Sequence, residues 1–313
     1  MAFKEQEVTI AGTYNLAGTL TIPQSREEKY PLILFVHGSG EVDRNENAKG
    51  MPINAFKELS DLAAEQGFAT LRYDKRGIGQ SEGNYFAAGF FDLVDDAVYA
   101  LQFAKQHPEI DDERIILLGH SEGCLVIPAV HQKIPVQGMI LLSGSAEPLS
   151  VTTEWQRRQL IEDMHNTTGF TGWLLRFLKA DQKFLKMNDE LTTKITSTDK
   201  DVIRFKGKKI NAKWNREHGQ FDVREYLSEI DCPVLAITGT KDVQVKPEQV
   251  KDICHLVQGQ CEYHLIENMT HILRKTDVDH RFQAILKDYK KQVQRPIDHE
   301  LKQIITRWLD GWN

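Results

Sequence analysis

Three observations predict a doubly wound α/β fold built on a mostly parallel sheet. Short apolar runs alternate with helical patterns through the first half of the 313-residue chain. Several of these runs, Leu32-Ile33-Leu34-Phe35-Val36 and Ile115-Ile116-Leu117-Leu118 among them, are apolar without a break. Strands covered by helices on both faces read that way. Loops gather just after strand ends, and in such a sheet the crevice lies outside the strands' carboxyl ends.

In chain order, two alternating segments, residues 6–11 and 16–22, flank a turn near Gly12-Thr13 and predict an antiparallel hairpin closed by Pro23. The strand 32–36 stops at His37-Gly38-Ser39-Gly40. A helix follows with Phe56, Leu59, Leu62 and Ala63 on one face, ended by Gly67. The strand 68–73 runs into Asp74-Lys75-Arg76-Gly77-Ile78-Gly79-Gln80-Ser81. A helix over 92–106 carries Leu93, Ala97, Ala100, Leu101 and Ala104 on one side. Next come the strand 115–118, a helix over 124–132, and the strand 138–142 ending at Ser143-Gly144-Ser145.

From residue 147 to 229 the alternation stops, and helical patterns dominate. One stripe holds Trp173, Leu174, Phe177 and Leu178. Such a segment either packs a small core of its own or covers the crevice as a lid, with Trp173 and Phe177 as candidate substrate contacts. Sheet signals resume with the strand 233–238, a helix over 247–256 and the strand 263–266. A last helix beside Pro296 carries Leu301, Ile304, Ile305, Trp308 and Leu309. The expected division is core 1–146, inserted helical lid 147–229, and core 230–313.

Composition excludes several classes of function. With 39 basic against 45 acidic residues, a net charge of −6 and no basic block, neither nucleic acid nor an anionic membrane is an expected partner. The polar start, Met1-Ala2-Phe3-Lys4-Glu5-Gln6-Glu7, lacks the apolar core of a signal peptide. No stretch approaches the ~18 apolar residues that span a bilayer, so the cytoplasm is the expected location. Cys124, Cys232, Cys254 and Cys261 show no C-x-x-C spacing, which argues for buried free thiols and against disulfides or zinc. No metal and no other cofactor is expected.

Chemistry concentrates at Gly119-His120-Ser121-Glu122-Gly123, a G-x-S-x-G pentapeptide between an apolar strand and a helix. In that context a tight turn pushes the serine hydroxyl past the end of the sheet as a nucleophile. Serine needs a base to take its proton, and the base needs an acid to fix its tautomer. Asp242, after Gly239-Thr240-Lys241, and His271, after Asn268-Met269-Thr270, also sit just beyond strands, in the order serine, acid, histidine. In a parallel sheet those three points fall on one edge. Asp222, Asp277 and Asp279 follow no apolar strand directly. The backbone N–H groups of Ser39 and Glu122 are the candidate oxyanion donors. Asp43-Arg44 and Asp74-Arg76 are expected to brace these loops as ion pairs and caps.

In these motifs the chain resembles the α/β-hydrolases, close to bacterial carboxylesterases and the related serine aminopeptidase-like and prolyl-oligopeptidase-like branches. The resemblance rests on His37-Gly38-Ser39-Gly40, Tyr73 through Ser81, the pentapeptide, Cys232 through Asp242 and Asn268-Met269-Thr270-His271. It implies an eight-stranded sheet with the lid inserted after the sixth strand. It also implies a carboxylesterase-type serine hydrolase acting on small acyl esters of short to medium chain through an acyl-enzyme. Thioesters or amides would use the same residues, and a binding protein without catalysis is the reading from another class.

Overall fold

The computed structural model describes residues 2–25 and 27–312. The chain opens with the expected antiparallel hairpin, β1 (Phe3–Ile10) and β2 (Leu16–Pro23). Strand and helix then alternate: β3 (Tyr30–Val36), α1 (Ala55–Glu65), β4 (Ala69–Tyr73), α2 (Phe90–Gln106), β5 (Ile110–His120), α3 (Gly123–Lys133) and β6 (Gly138–Leu142). The following segment contains α4 (Leu149–Asn166), α5 (Gly169–Phe177), α6 (Ala180–Thr196), the small hairpin β7 (Val202–Phe205) and β8 (Lys208–Asn211), α7 (Ala212–Gln220) and α8 (Val223–Leu227). The chain finishes with β9 (Val234–Gly239), α9 (Gln249–Leu256), β10 (Cys261–Ile266), α10 (Phe282–Gln292) and α11 (His299–Asp310).

Eight strands form one sheet in the order β1-β2-β4-β3-β5-β6-β9-β10. Only β1 with β2 and β2 with β4 pair antiparallel, and every other neighbour is parallel. This is the doubly wound architecture that the apolar runs predict. Side chains alternate along each strand, so β3 feeds two cores. Leu32, Leu34 and Val36 pack with α2 and α3 on one face. Ile33 and Phe35 pack with α1 and α11 on the other, where Phe35 and Phe56 lie 5.1 Å apart. Each large side chain fully buried there contributes about 1.5–3 kcal/mol.

Three features depart from the sequence expectation, the first being α10, a helix not expected between the strand 263–266 and the last helix. The segment between β6 and β9 contains a β-hairpin as well as helices, turning at Lys206-Gly207, both with positive φ (46° and 83°). Cys254 and Cys261 are joined by a disulfide, correcting the expectation of four free thiols. The end of α9 and the start of β10 bring the two Cα atoms to 5.3 Å, and spacing along the chain gave no sign of that approach. Cys124 and Cys232 are free and buried, as expected. No helix among the described residues is long and apolar enough to cross a membrane.

Candidate active site

The pentapeptide occupies the sharp turn between β5 and α3. Ser121 has φ 53°, a left-handed conformation that costs a non-glycine residue about 1–2 kcal/mol. The turn is held because Ser121 N–H donates to Leu142 O on β6 at 2.9 Å and Cys124 N–H donates back to Ser121 O at 3.0 Å. Only glycine fits on either side. A Cβ on Gly119 would stand 2.6 Å from the Gly123 backbone, and one on Gly123 would stand 2.1 Å from Val36 O.

Asp242 and His271 come to the same edge of the sheet, beyond β9 and β10. His271 Nδ1 donates to Asp242 Oδ2 at 2.8 Å, leaving Nε2 as the free ring nitrogen. Asp242 Oδ1 accepts the N–H groups of Gln244 at 2.8 Å and Val245 at 3.0 Å, which fixes the carboxylate plane. Asp242 is completely buried and His271 nearly so. Asp222 instead caps α8, where it accepts the Arg224 N–H at 3.1 Å, and Asp277 and Asp279 are exposed. No hydrogen bond joins Ser121 to His271 in this state, and catalytic contacts commonly tighten only on substrate binding.

Ser39 and Glu122, the two candidate oxyanion residues, line one cavity with Ser121. The Glu122 side chain anchors the cavity wall. Its Oε1 accepts Trp214 Nε1–H at 2.6 Å and His218 Nε2–H at 2.7 Å, both from α7. Its Oε2 pairs with Lys75 Nζ at 3.2 Å. Burial alone would raise the Glu122 pKa, but Lys75, His218 and Trp214 pull it down to about 2. Burial drives the His37 pKa down to about 4, and its ring bonds to Tyr73 O, so it stays neutral and structural.

A second buried carboxylate lies beneath the turn. Glu46 Oε1 accepts the Gly38 N–H at 2.8 Å and faces His120 Nδ1 at 2.7 Å. His120 Nε2 faces His271 O at 2.9 Å. Both ring nitrogens therefore meet acceptors, an arrangement that favours the imidazolium form of His120. Burial opposes both charges, yet the pairing raises the His120 pKa and lowers that of Glu46. The His120 contribution is complete below its unfolded pKa of about 6.5 and is lost as pH rises through the folded value. The Glu46 contribution is present above its unfolded pKa of about 4.3 and is lost as pH falls through the folded value. Glu46→Gln should therefore lower the unfolding midpoint most near about pH 5.5, with the gap to wild type narrowing as pH rises through the raised His120 pKa. A gap that stays constant over that range would mean His120 is neutral.

The loop braces pair differently from the sequence expectation. Arg44 bonds Asp74 (Nη2–Oδ2 2.9 Å), Glu7 (2.6 Å) and Thr19 (2.8 Å). Arg76 turns to Asp96 at 2.7 Å, and Asp43 accepts the N–H groups of Asn45 and Asn47. The Arg44 guanidinium is thus occupied away from Ser121.

The cavity holds about 200 Å³, with Leu125, Leu149, Trp214 and Val245 as its apolar patches. Trp173 and Phe177 do not line it. They stand on the outer side of α5, 53% and 68% exposed, stacked 5.2 Å apart. The stripe that suggested substrate contact faces solvent, and α4 and α7 supply the cavity wall instead. The inward aromatic, Trp214, lies outside the apolar stripe singled out in the sequence. His218 and Lys75 carried no sequence signal, because their common partner, Glu122, was read for its backbone alone.

Comparison with known proteins agrees with this fold. A family model described as serine aminopeptidase, S33 matches residues 29–276. Esterase EstD of Thermotoga maritima is 25% identical over 244 residues, covering 78% of this chain and 53% of that protein. The chain thus spans about half the length of that relative. Among solved structures, Est1E from Butyrivibrio proteoclasticus with ferulic acid bound superposes with TM-score 0.60 at 19% identity, covering 92% of this chain and 100% of that one. The Pyrococcus furiosus esterase Pf2001 gives 0.53 at 18%, covering 93% and 88%. At these identities the two structures share the fold.

Proposed function

Because the chain belongs to the serine aminopeptidase S33 family of α/β-hydrolases, we propose that it hydrolyses short-chain carboxylic esters through an acyl-enzyme on Ser121. The observation that carries this reading is the Asp242–His271 hydrogen bond of 2.8 Å on the sheet edge where Ser121 is held in its strained turn. His271 Nε2 takes the Ser121 proton as Oγ attacks the ester carbonyl, and Asp242 keeps the other ring proton on Nδ1. The carbonyl oxygen, now negative, meets the N–H groups of Ser39 and Glu122. Collapse expels the alcohol, which takes the proton from His271 Nε2. Water then repeats the sequence and frees the acid.

An aminopeptidase reading is disfavoured by the charges on the cavity wall. A free α-ammonium needs an unpaired carboxylate, yet Glu122 is held by Lys75 and His218, and Glu147 pairs with Lys246 at 2.9 Å. The cavity is also smaller than the ~300–1,000 Å³ usual for drug-sized ligands, which favours a short acyl group. The residues between β6 and β9 serve in this reading as the lid, with α4 and α7 closing the crevice.

A series of 4-nitrophenyl esters from acetate to dodecanoate tests this. Each methylene that finds apolar wall adds about 0.8 kcal/mol, so kcat/KM should rise over the first few carbons and then fall. Trp173→Ala and Phe177→Ala should leave the position of that optimum unchanged, since both rings lie outside the cavity. An optimum at dodecanoate, or one moved by either variant, would refute the assignment of this cavity. Faster hydrolysis of aminoacyl amides than of any ester would refute esterase function.

A further inference from the structure

We propose that Lys75 is a positioning residue of the oxyanion hole, holding both of its backbone donors at once. The inference rests on the reading of the Ser39 and Glu122 amides as those donors. Lys75 lies in the loop after β4, is 4% exposed and does not line the cavity, so it acts through other groups rather than on substrate.

Its ammonium reaches two partners. One is Gly38 O and the other is Glu122 Oε2, at 3.2 Å. Gly38 O belongs to the same peptide unit as the Ser39 N–H, and in a planar trans peptide the two point in opposite directions. Gripping the carbonyl from behind therefore aims the Ser39 N–H forward, into the cavity that Ser39 lines. The cation also draws electron density towards the carbonyl oxygen and makes that N–H a stronger donor. Through Glu122 the same ammonium fixes the residue that carries the second donor N–H. Catalysis by an oxyanion hole depends on donors aimed before charge develops, and Lys75 supplies that aim.

The preceding peptide is held from the other side, where Gly38 N–H donates to Glu46 Oε1 at 2.8 Å. Gly38 itself has no room for a side chain. A Cβ there would stand 2.7 Å from Glu46 Oε1 and 3.2 Å from Ser121 Cβ. The loop is thus clamped between an anion on its N–H side and a cation on its C=O side, and only the cation also touches Glu122.

The test is Lys75→Met, with Lys75→Gln, which keeps a neutral donor for Gly38 O. Three quantities are compared with wild type: kcat and KM for 4-nitrophenyl butanoate, and the inhibition constant of a trifluoromethyl ketone, whose serine adduct carries the oxyanion. Lys75→Met should lower kcat by ~10²-fold with KM little changed, and weaken the ketone by a similar factor. Lys75→Gln should recover part of both losses. A merely structural lysine would lower the unfolding midpoint while folded enzyme kept its kcat and ketone affinity, and that result overturns the proposal. So does a kcat loss without a matching ketone loss, or a chain that folds with neither substitution. Should Ser121→Ala remain active, the reading of Ser121 as nucleophile fails, and with it the oxyanion site built around it. If that variant is inactive and Lys75→Met still binds the ketone normally, only the role of Lys75 fails.

Discussion

Ser121→Ala should abolish hydrolysis of 4-nitrophenyl butanoate, lowering kcat by ~10⁴–10⁶-fold while the protein stays folded. The turn that presents the residue does not depend on its hydroxyl. It is held by the Ser121 backbone bonds to Leu142 and Cys124 and by the two flanking glycines. Alanine carries the same Cβ as serine into the same φ of 53°, so the substitution adds little backbone strain. Circular dichroism and the unfolding midpoint should match wild type. Labelling by a fluorophosphonate should vanish with the activity, because the probe forms its bond to the serine oxygen. A variant that keeps a tenth of wild-type turnover would place the nucleophile elsewhere.

The parallel core was legible because every central strand is covered on both faces. Leu32 through Val36 had to be apolar at each position to serve two cores, and a continuous apolar run of that length has few other uses. Edges and insertions were harder to read. The hairpin of β7 and β8 turns at Lys206-Gly207 rather than at an Asn-Gly or Asp-Gly pair, so its turn signal is weak. Helix α10 has Phe282, Ile285, Leu286 and Tyr289 at helical spacing, but Arg281 at its start gives no side-chain cap. The Cys254–Cys261 bridge depends on where α9 meets β10, a tertiary fact with no local pattern.

At the candidate site, the residues easiest to find were those tied to strand ends. Ser121, Asp242 and His271 each follow a parallel strand, and topology alone brings such positions together. The supporting groups follow no such rule. Glu46 lies mid-loop with φ 66°, Lys75 sits inside a loop motif, and His218 arrives from the segment between β6 and β9. What unites them is burial against Gly38, His120 and Glu122. A charged residue in a loop reads as solvated until the fold closes over it. The Trp173 and Phe177 stripe failed for the converse reason, since an amphipathic pattern shows that one face is apolar and not what that face meets.

Asp242→Asn should cut kcat by ~10³–10⁴-fold, and the hydrogen bonds around the carboxylate explain why so conservative a change costs so much. Oδ1 accepts two backbone N–H groups, from Gln244 and Val245, so the asparagine must keep its oxygen there. Its amide NH₂ then takes the place of Oδ2 and points a donor at His271 Nδ1, which Oδ2 now faces at 2.8 Å. The imidazole answers by carrying its proton on Nε2, the nitrogen required to accept one from Ser121. Burial keeps water from relieving the conflict, because Asp242 is wholly enclosed and His271 is 4% exposed. KM for 4-nitrophenyl butanoate should change little, as neither side chain lines the cavity. Asp277→Asn and Asp279→Asn, both at exposed positions, should stay within a few-fold of wild type. If Asp242→Asn instead keeps a tenth of the activity while one of those two loses it, the acid belongs to the loop after His271, and the 2.8 Å contact is structural.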